Sequence, residues 1–236
     1  MYFGVLNINK PYKCTSHDVI SKLRKILNIK KIGHAGTLDP LATGVLPVFA
    51  GKATRLIQFA YSDKQYIAEI TFGKTTSTYD LEGDITSENP CYFTKEDLLK
   101  HLLTLKGNII QQVPLTSAVH YKGKKLYEYA HKGIEIKDLP TRVVQIYDNK
   151  LLEFTHSEDR CMAKVQIDCS SGTYIRSFAN DLGKKLGCGA FLSGLTRTKA
   201  CHIDISNSYT LDQLKEFSKD EREKAILSPL DFINLE

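Results

Sequence analysis

The feature that most constrains this chain is a segment rich in glycine and proline that lies between two apolar runs. It covers residues 31–48, KIGHAGTLDPLATGVLPV, and contains three glycines and two prolines. Glycine and proline interrupt regular structure, so the segment predicts a long loop held between two strands. Within it, Pro40 biases Asp39 away from the helical region and keeps it extended. Asp-Pro is also a common turn dipeptide, and Asp39 taken alone is most simply a turn former.

Apolar periodicity predicts helices and strands on both sides of this loop. The predicted strands cover residues 3–8, 65–72 and 161–169, and the predicted helices cover residues 17–28, a stretch starting at 94, and 174–186. Ser16 is the expected N-cap of the first helix. Because strands and helices mix without a regular strand–helix–strand repeat, the pattern favours an α+β fold with a mixed, mostly antiparallel sheet. We expect one domain over residues 1–236, with polar inserted stretches at about 73–92 and 115–140.

Other candidate site residues carry little weight when each is taken alone. His34 lies between Gly33 and Ala35, and a lone histidine is more often structural or solvated than functional. Tyr174 and Arg176 lie where a predicted strand ends and a helix begins. Their side chains could face solvent from the first helical turn or point into a cleft.

Composition excludes several classes of protein. The net charge is only +5, so a polyanionic partner would have to be held by a local basic patch. The sequence has no apolar run long enough to span a membrane and no signal peptide at its start, and we expect a cytoplasmic protein. The six cysteines form no CxxC pair and no metal-binding cluster, which predicts reduced, mostly buried thiols and no metal site. Gly187-Cys188-Gly189 lacks the remainder of a dinucleotide fingerprint, so no nucleotide cofactor is expected.

A set of short motifs changes the weight of these single residues. The motifs are Gly4-Val5-Leu6 with Lys10-Pro11, residues 33–47 (GHAGTLDPLATGVLP), Lys64-Gln65-Tyr66, residues 123–130 (GKKLYEYA), residues 172–176 (GTYIR) and Asp181-Leu182-Gly183. In this order, over roughly residues 3–200, they resemble the TruB family, the tRNA pseudouridine-55 synthases. The resemblance implies a pseudouridine synthase fold.

The resemblance implies that Asp39 is the catalytic aspartate and that Tyr66, Tyr174 and Arg176 complete the active site. A carboxylate is a suitable nucleophile towards either the ribose C1′ or the uracil C6, and the sequence leaves both routes open. Arg176 would keep Asp39 ionised and oriented through charge-assisted hydrogen bonds. Tyr66 would stack on the uracil, and as a weaker proposal it would help to remove the C5 proton. The isomerisation involves no redox change or phosphate transfer, so no cofactor is expected.

The resemblance also assigns residues to RNA binding. His34 would brace the space left when the uridine is flipped out of its loop. Leu195 would pack near the flipped base, although core packing explains it equally well. Lys10 would support the edge of the site, with a solvated lysine as the plain alternative.

The partner implied by the resemblance is the T-arm stem-loop of tRNA, bound by a monomer without a membrane or a small-molecule cofactor. The lysines and tyrosines of residues 122–132, Lys124 and Lys125 among them, would form an RNA-clasping insertion. A run of charges is otherwise usually a solvated face.

The chain departs from the family pattern in two places. Before the insertion, Val113, Thr116 and His120 replace a proline, a tyrosine and a lysine. At the C-terminus, bacterial relatives commonly continue into a small RNA-binding module, which we expect to be lacking here. The rival interpretations are a non-catalytic tRNA-binding or tRNA-folding chaperone, and an acid–base hydrolase, for which the motifs supply no second carboxylate.

Overall fold

The computed structural model describes residues 2–134, 136, 138–157 and 160–234. The strands of this part of the chain are β1 Gly4–Lys10, β2 Ile32–His34, β3 Ala42–Ala50, β4 Lys64–Phe72, β5 Lys74–Thr76, β6 Ile85–Glu88, β7 Gly107–Gln112, β8 His120–Tyr121, β9 Lys124–Lys125, β10 Thr141–His156, β11 Cys161–Cys169, β12 Ala190–Ala200 and β13 Ile203–Asp204. The α-helices are α1 Ser16–Leu27, α2 Lys95–Leu103, α3 Leu126–Ala130, α4 Ile175–Lys185, α5 Leu211–Glu216 and α6 Lys219–Lys224, and the 3₁₀ helices are Gly51–Phe59, Ile205–Asn207 and Pro229–Phe232.

The chain forms two compact units. The first comprises Met1–Tyr66 and Leu195–Glu236, and the second comprises Ile67–Gly194. Strands β4 and β12 each continue from one unit into the other. Helices and strands intermix and the pairings are mostly antiparallel, which confirms the predicted α+β class. The single domain over residues 1–236 stays a prediction, and the predicted insertion at 115–140 includes two residues, 135 and 137, that lie outside the described part.

In the first unit, helix α1 packs against the sheet through the face that its apolar spacing predicts. Val19, Leu23 and Leu27 are buried in one core with residues of β1, β3 and α5. The predicted N-cap is wrong by one residue. Thr15 caps the helix and forms a capping box with Asp18. The Ser16 hydroxyl instead forms hydrogen bonds with the backbone of Leu38.

The sheet of the first unit fixes the ends of the glycine-rich segment. Strand β3 pairs antiparallel with β1 and β2, and parallel with β12 in the register Leu195↔Ala42. Strands β2 and β3 extend further into the segment than predicted, so the loop between them is only residues 35–41. The reason is burial, because all but one of the residues of β3 are buried. Removing their apolar side chains from water stabilises the strand more than an exposed loop would be stabilised.

The second unit is built on the order β12-β4-β11-β10-β7. The alternating burial of β4 and β11 confirms both strand predictions, and helices α2 and α4 confirm two helix predictions. Strand β10, the longest, was not predicted. Few of its residues are buried and two irregularities interrupt its register with β11, so no clean alternation marks it.

Two expectations from composition can be compared with the structure. Five of the six free cysteines are buried and Cys91 is half-buried, which agrees with the prediction of reduced, mostly buried thiols. Of the helices described, none has both the length and the apolar character needed to cross a membrane.

Candidate active site

The predicted site residues are divided between the two units. The first unit holds Lys10, His34, Asp39, Tyr66 and Leu195, and the second holds Lys124, Lys125, Tyr174 and Arg176. Each half is described by itself below. The pairing of Asp39 with Arg176 stays a prediction.

The loop that carries Asp39 is held along its backbone by hydrogen bonds from the surrounding core. The Ser16 hydroxyl accepts from Leu38 N at 2.9 Å and donates to Leu38 O at 3.1 Å. Asp39 O accepts from Ala42 N at 3.0 Å, which closes a turn through Pro40. The residues on both sides of the aspartate are therefore fixed, and a carboxylate on such a backbone is positioned before any substrate arrives.

Lys10 forms a hydrogen bond with the backbone of the same loop. It is completely buried, and its ammonium donates to Pro11 O at 2.9 Å, Cys14 O at 2.5 Å and Pro40 O at 3.2 Å. Burial lowers the pKa of Lys10, whereas the nearby charges of Cys14 and Asp39 act to raise it. Lys10 is therefore buried and not solvated, and its role at the site stays a prediction.

Arg197 is a second buried cation at this loop, and the sequence analysis did not find it. It is completely buried in β12, with Nε donating to Val45 O at 2.7 Å and Nη2 donating to Gly36 O at 3.1 Å. The acceptors lie 161 and 152 residues away along the chain. Contacts of that separation leave no local pattern in a sequence.

His34 lies at the end of β2, next to the loop, and is half-buried. Burial lowers its pKa, and the charges of Arg197 and His17 lower it further. The ring is therefore neutral at physiological pH. Its Nδ1 atom is buried and has no hydrogen-bond partner among the described residues.

Tyr66 and Leu195 differ in how deeply they are buried. Tyr66 is buried on β4. Leu195 is half-buried on β12, beside Ala42 of β3, and its carbonyl lies 3.5 Å from the Thr43 hydroxyl. Because Leu195 is partly exposed beside β3, a ligand can reach it. A ligand could not reach a fully buried core residue.

In the second unit, Arg176 is held in a buried polar cluster. Its Nη1 lies 3.4 Å from Asp80 Oδ2, with side-chain exposures of 6% and 11% for the two residues. Nη1 also donates to the Thr116 hydroxyl at 2.6 Å and to Thr78 O at 3.4 Å. Thr116 is one of the departures from the family pattern, so that departure lies directly at a predicted site residue.

Asp80, which the sequence does not single out, is a buried partner of the predicted site residue Arg176. It lies in the polar stretch between β5 and β6, and its other carboxylate oxygen accepts from the Thr78 hydroxyl at 2.5 Å and from Glu82 N at 3.0 Å. An aspartate in a turn with these neighbours resembles an ordinary turn residue. Only its contact with Arg176, 96 positions along the chain from it, shows its role.

Tyr174 is the N-cap residue of α4, and its backbone is fixed from β7. The buried side chain of Gln111 accepts from Tyr174 N at 3.0 Å and donates to Tyr174 O at 3.2 Å. The Arg142 guanidinium lies 5.2 Å from the centre of the Tyr174 ring. Tyr174 and Arg176 therefore leave the start of α4 in defined directions.

The predicted RNA-clasping residues form a small hairpin and a short helix. Strands β8 and β9 pair antiparallel and lead into α3. Lys122, Lys124 and Lys132 are exposed, while Lys125 is half-buried with its ammonium 5.7 Å from the centre of the Tyr127 ring. The arrangement presents cations and aromatic rings together, as contacts to a nucleic acid require.

The described residues contain no group of three or more histidine, cysteine or acidic side chains placed to hold a metal ion. The predicted catalytic group of the first unit is one carboxylate, Asp39, in a loop that the buried cations Lys10 and Arg197 hold. Such an arrangement suits nucleophilic attack or proton transfer by a single carboxylate.

Comparison with solved structures identifies the class of protein. One similar structure is titled a Cbf5-Nop10-Gar1 complex, with a TM-score of 0.75, 30% identity, and coverage of 97% of this chain and 61% of that chain. Another is an H/ACA RNP bound to a substrate RNA containing 2′-deoxyuridine, with a TM-score of 0.68, 28% identity, and coverage of 97% of this chain and 57% of that chain. The fold is that of a pseudouridine synthase.

Sequence comparison then gives the family. The family described as TruB family pseudouridylate synthase (N terminal domain) matches residues 24–175, and the tRNA pseudouridylate synthase B C-terminal domain matches residues 176–233. The tRNA pseudouridine synthase B of Dehalococcoides mccartyi strain BAV1 is 47% identical over 97% of this chain and 75% of its own length. That of Prochlorococcus marinus strain NATL2A is 41% identical over 96% of this chain and 72% of its own length. The chain belongs to the TruB family of pseudouridylate synthases, enzymes that isomerise uridine in tRNA.

Proposed function

We propose that this enzyme converts uridine 55 in the T-loop of tRNA into pseudouridine, with Asp39 as the nucleophile. The observation that carries the proposal is the loop at residues 35–41, in which Leu38, Asp39 and Pro40 are each fixed by backbone hydrogen bonds. A carboxylate held in this way is ready to attack without reorganising first.

The reaction needs one nucleophile and no external reactant. Asp39 adds either to the ribose C1′, releasing uracil at N1, or to the uracil C6, and both routes remain open. In either route the N1–C1′ bond breaks, the base turns and C5 bonds to C1′, and the bond between Asp39 and C1′ or C6 breaks to release the carboxylate. The C5 proton is lost and N1 gains a proton, so atoms and electrons balance without a cofactor.

The other predicted residues support this step. Arg176, itself held by Asp80 and Thr116, would orient the Asp39 carboxylate. Tyr66 would stack on the flipped uracil, a contact worth about 1–3 kcal/mol per base. His34 would brace the space that the uridine leaves, and its neutral ring suits a contact inside an unstacked RNA loop.

RNA recognition would rest on the T-arm. The exposed Lys122 and Lys124 of the β8–β9 hairpin and Lys132 after α3 would contact phosphates. Leu195 and Tyr174 would line the site of the flipped base. We further propose that the enzyme acts as a monomer, and in the cytoplasm, where tRNA is modified.

The test is direct mapping of pseudouridine in a tRNA transcript after incubation with the enzyme, without added metal or nucleotide. Carbodiimide-dependent reverse-transcription stops should appear at position 55 with the parent enzyme and disappear with Asp39→Asn, while the affinity for RNA stays nearly unchanged. Residual Asp39→Asn activity within about tenfold of the parent would reject the nucleophile. Binding without any modification by the parent would favour the tRNA-folding chaperone instead.

A further inference from the structure

Arg197 connects the loop that carries Asp39 to strand β3, which follows it. Through Nη2 it binds Gly36 O, before the aspartate, and through Nε it binds Val45 O, after it. We propose that Arg197 is a positioning residue for the isomerisation, whose planar guanidinium fixes the separation of these two backbone segments and thereby the place of Asp39. The inference rests on the function proposed above.

Two glycines of the segment lie next to Arg197. Gly36 has a φ of +84°, and a Cβ added there would lie 3.5 Å from Arg197 Nη1. Gly44 has a φ of +99°, and a Cβ there would lie 2.2 Å from Arg197 O. Positive φ favours glycine at both positions, and the absence of a side chain at Gly44 allows the backbone of β12 to approach β3 closely. The glycine pattern and the buried arginine are thus two parts of one arrangement.

The energetics argue against a role in stability alone. Among the residues that the structure describes in the first unit, the buried polar side chains include no carboxylate to neutralise Arg197, and its Nη1 has no hydrogen-bond partner. Removing an unpaired charge from water is costly, and an apolar side chain of similar size commonly serves a core as well or better. An apolar side chain such as methionine lacks the rigid guanidinium group, which binds two carbonyl oxygens at a fixed geometry.

The positive charge of Arg197 has a second, separable effect. After burial, it is the main cause that lowers the pKa of His34, followed by His17 on α1. Arg197→Lys keeps the positive charge and loses the guanidinium geometry, whereas Arg197→Met loses both. The two substitutions therefore distinguish geometry from charge.

The experiment compares Arg197→Lys and Arg197→Met with the parent enzyme. Single-turnover rates of pseudouridine formation at saturating enzyme, dissociation constants for tRNA, and the His34 pKa from NMR titration are measured for each, with His34→Gln to assign the signal. Since a displacement of about 1 Å at a reacting group can cost about 100-fold in rate, both variants should lose about that factor while binding tRNA nearly as tightly as the parent. The His34 pKa should rise in Arg197→Met and stay low in Arg197→Lys.

Leu214→Ala is the matched control, because Leu214 is completely buried in the core of the same unit, on α5. It should lower the thermal midpoint and leave the single-turnover rate unchanged at a temperature where it is folded. A full rate in Arg197→Lys, or a loss in Leu214→Ala as large as in the arginine variants, would overturn the inference. If Arg197→Met does not fold, the lysine variant still decides. Failure of the proposed function is a different result, since the parent itself would then form no pseudouridine.

Discussion

Removal of the Asp80 carboxylate tests how the second unit holds its predicted catalytic arginine. Asp80→Ala leaves the Arg176 guanidinium, whose side chain is only 6% exposed, without its buried partner at 3.4 Å. Breaking a buried pair from one side typically costs about 3–5 kcal/mol, because the remaining charge is stranded in a medium of low polarity. The acceptors for the Thr78 hydroxyl and Glu82 N are lost as well. We therefore expect the free energy of unfolding to fall by about 3 kcal/mol or more.

Asp80→Asn separates charge from shape. It keeps an oxygen that can accept from Glu82 N, so the expected loss is smaller, about 1.5–3 kcal/mol for a hydrogen bond to a charged group. Both variants should also lower the single-turnover rate, since Arg176 would lose one of the contacts that orient it.

The assay is urea unfolding followed by circular dichroism for the parent, Asp80→Ala, Arg176→Met and the double variant. If the two side chains stabilise each other, the double variant should be less destabilised than the two single changes added together, by about 1–3 kcal/mol. Asp212→Ala removes an exposed pair with Lys215 on α5 and should leave unfolding unchanged. Additive effects of Asp80 and Arg176, within about 0.5 kcal/mol, would refute the reasoning.

Three further predictions concern RNA binding and pH. Replacing Lys124 and Lys125 together by alanine should weaken tRNA binding and lower the log–log salt slope by up to about two units, while the exposed pair Lys184 and Lys185 on α4 is the control that should change neither. Because the folded state lowers the pKa of His34 below its ordinary value of 6.5, the unfolded chain binds more protons, and stability should fall as the pH drops through 6.5. His34→Gln should reduce that loss in urea titrations, and an unchanged pH dependence would contradict it. An isolated T-arm stem-loop should bind and react within about tenfold of full tRNA at one fixed salt concentration, and a deficit of several hundredfold would place essential contacts elsewhere on the tRNA.

The parts of the fold that the sequence predicts are those with local causes. Strands β4 and β11 follow from alternation, and helix α1 follows from the spacing of Val19, Leu23 and Leu27. Even the wrong cap has a local cause, because Thr15 and Ser16 are both good cap residues and the capping box with Asp18 decides between them.

The parts of the site that the sequence does not predict depend on distant contacts. Asp80, Arg197 and Thr116 have ordinary local surroundings, and each matters through partners 60 or more positions along the chain. Periodicity and turn chemistry carry no information about such pairs. Asp39 is predicted as the catalytic residue only because its motif, residues 33–47, resembles the TruB family, since proline and glycine alone mark no more than a turn.

The hydrogen bonds around Asp39 also indicate where the order of the catalytic loop comes from. Lys10 and Arg197 bind carbonyls on both sides of the aspartate, and Ser16 fixes the residue before it, all from within the core of the first unit. The hairpin residues Lys122 and Lys124, in contrast, are exposed and belong to the second unit. A loop ordered by its own unit needs no ordering by the substrate, so changes in the hairpin should alter affinity and leave the single-turnover rate intact, whereas changes at Arg197 should do the opposite. Binding and chemistry are thus expected to depend on separate sets of residues.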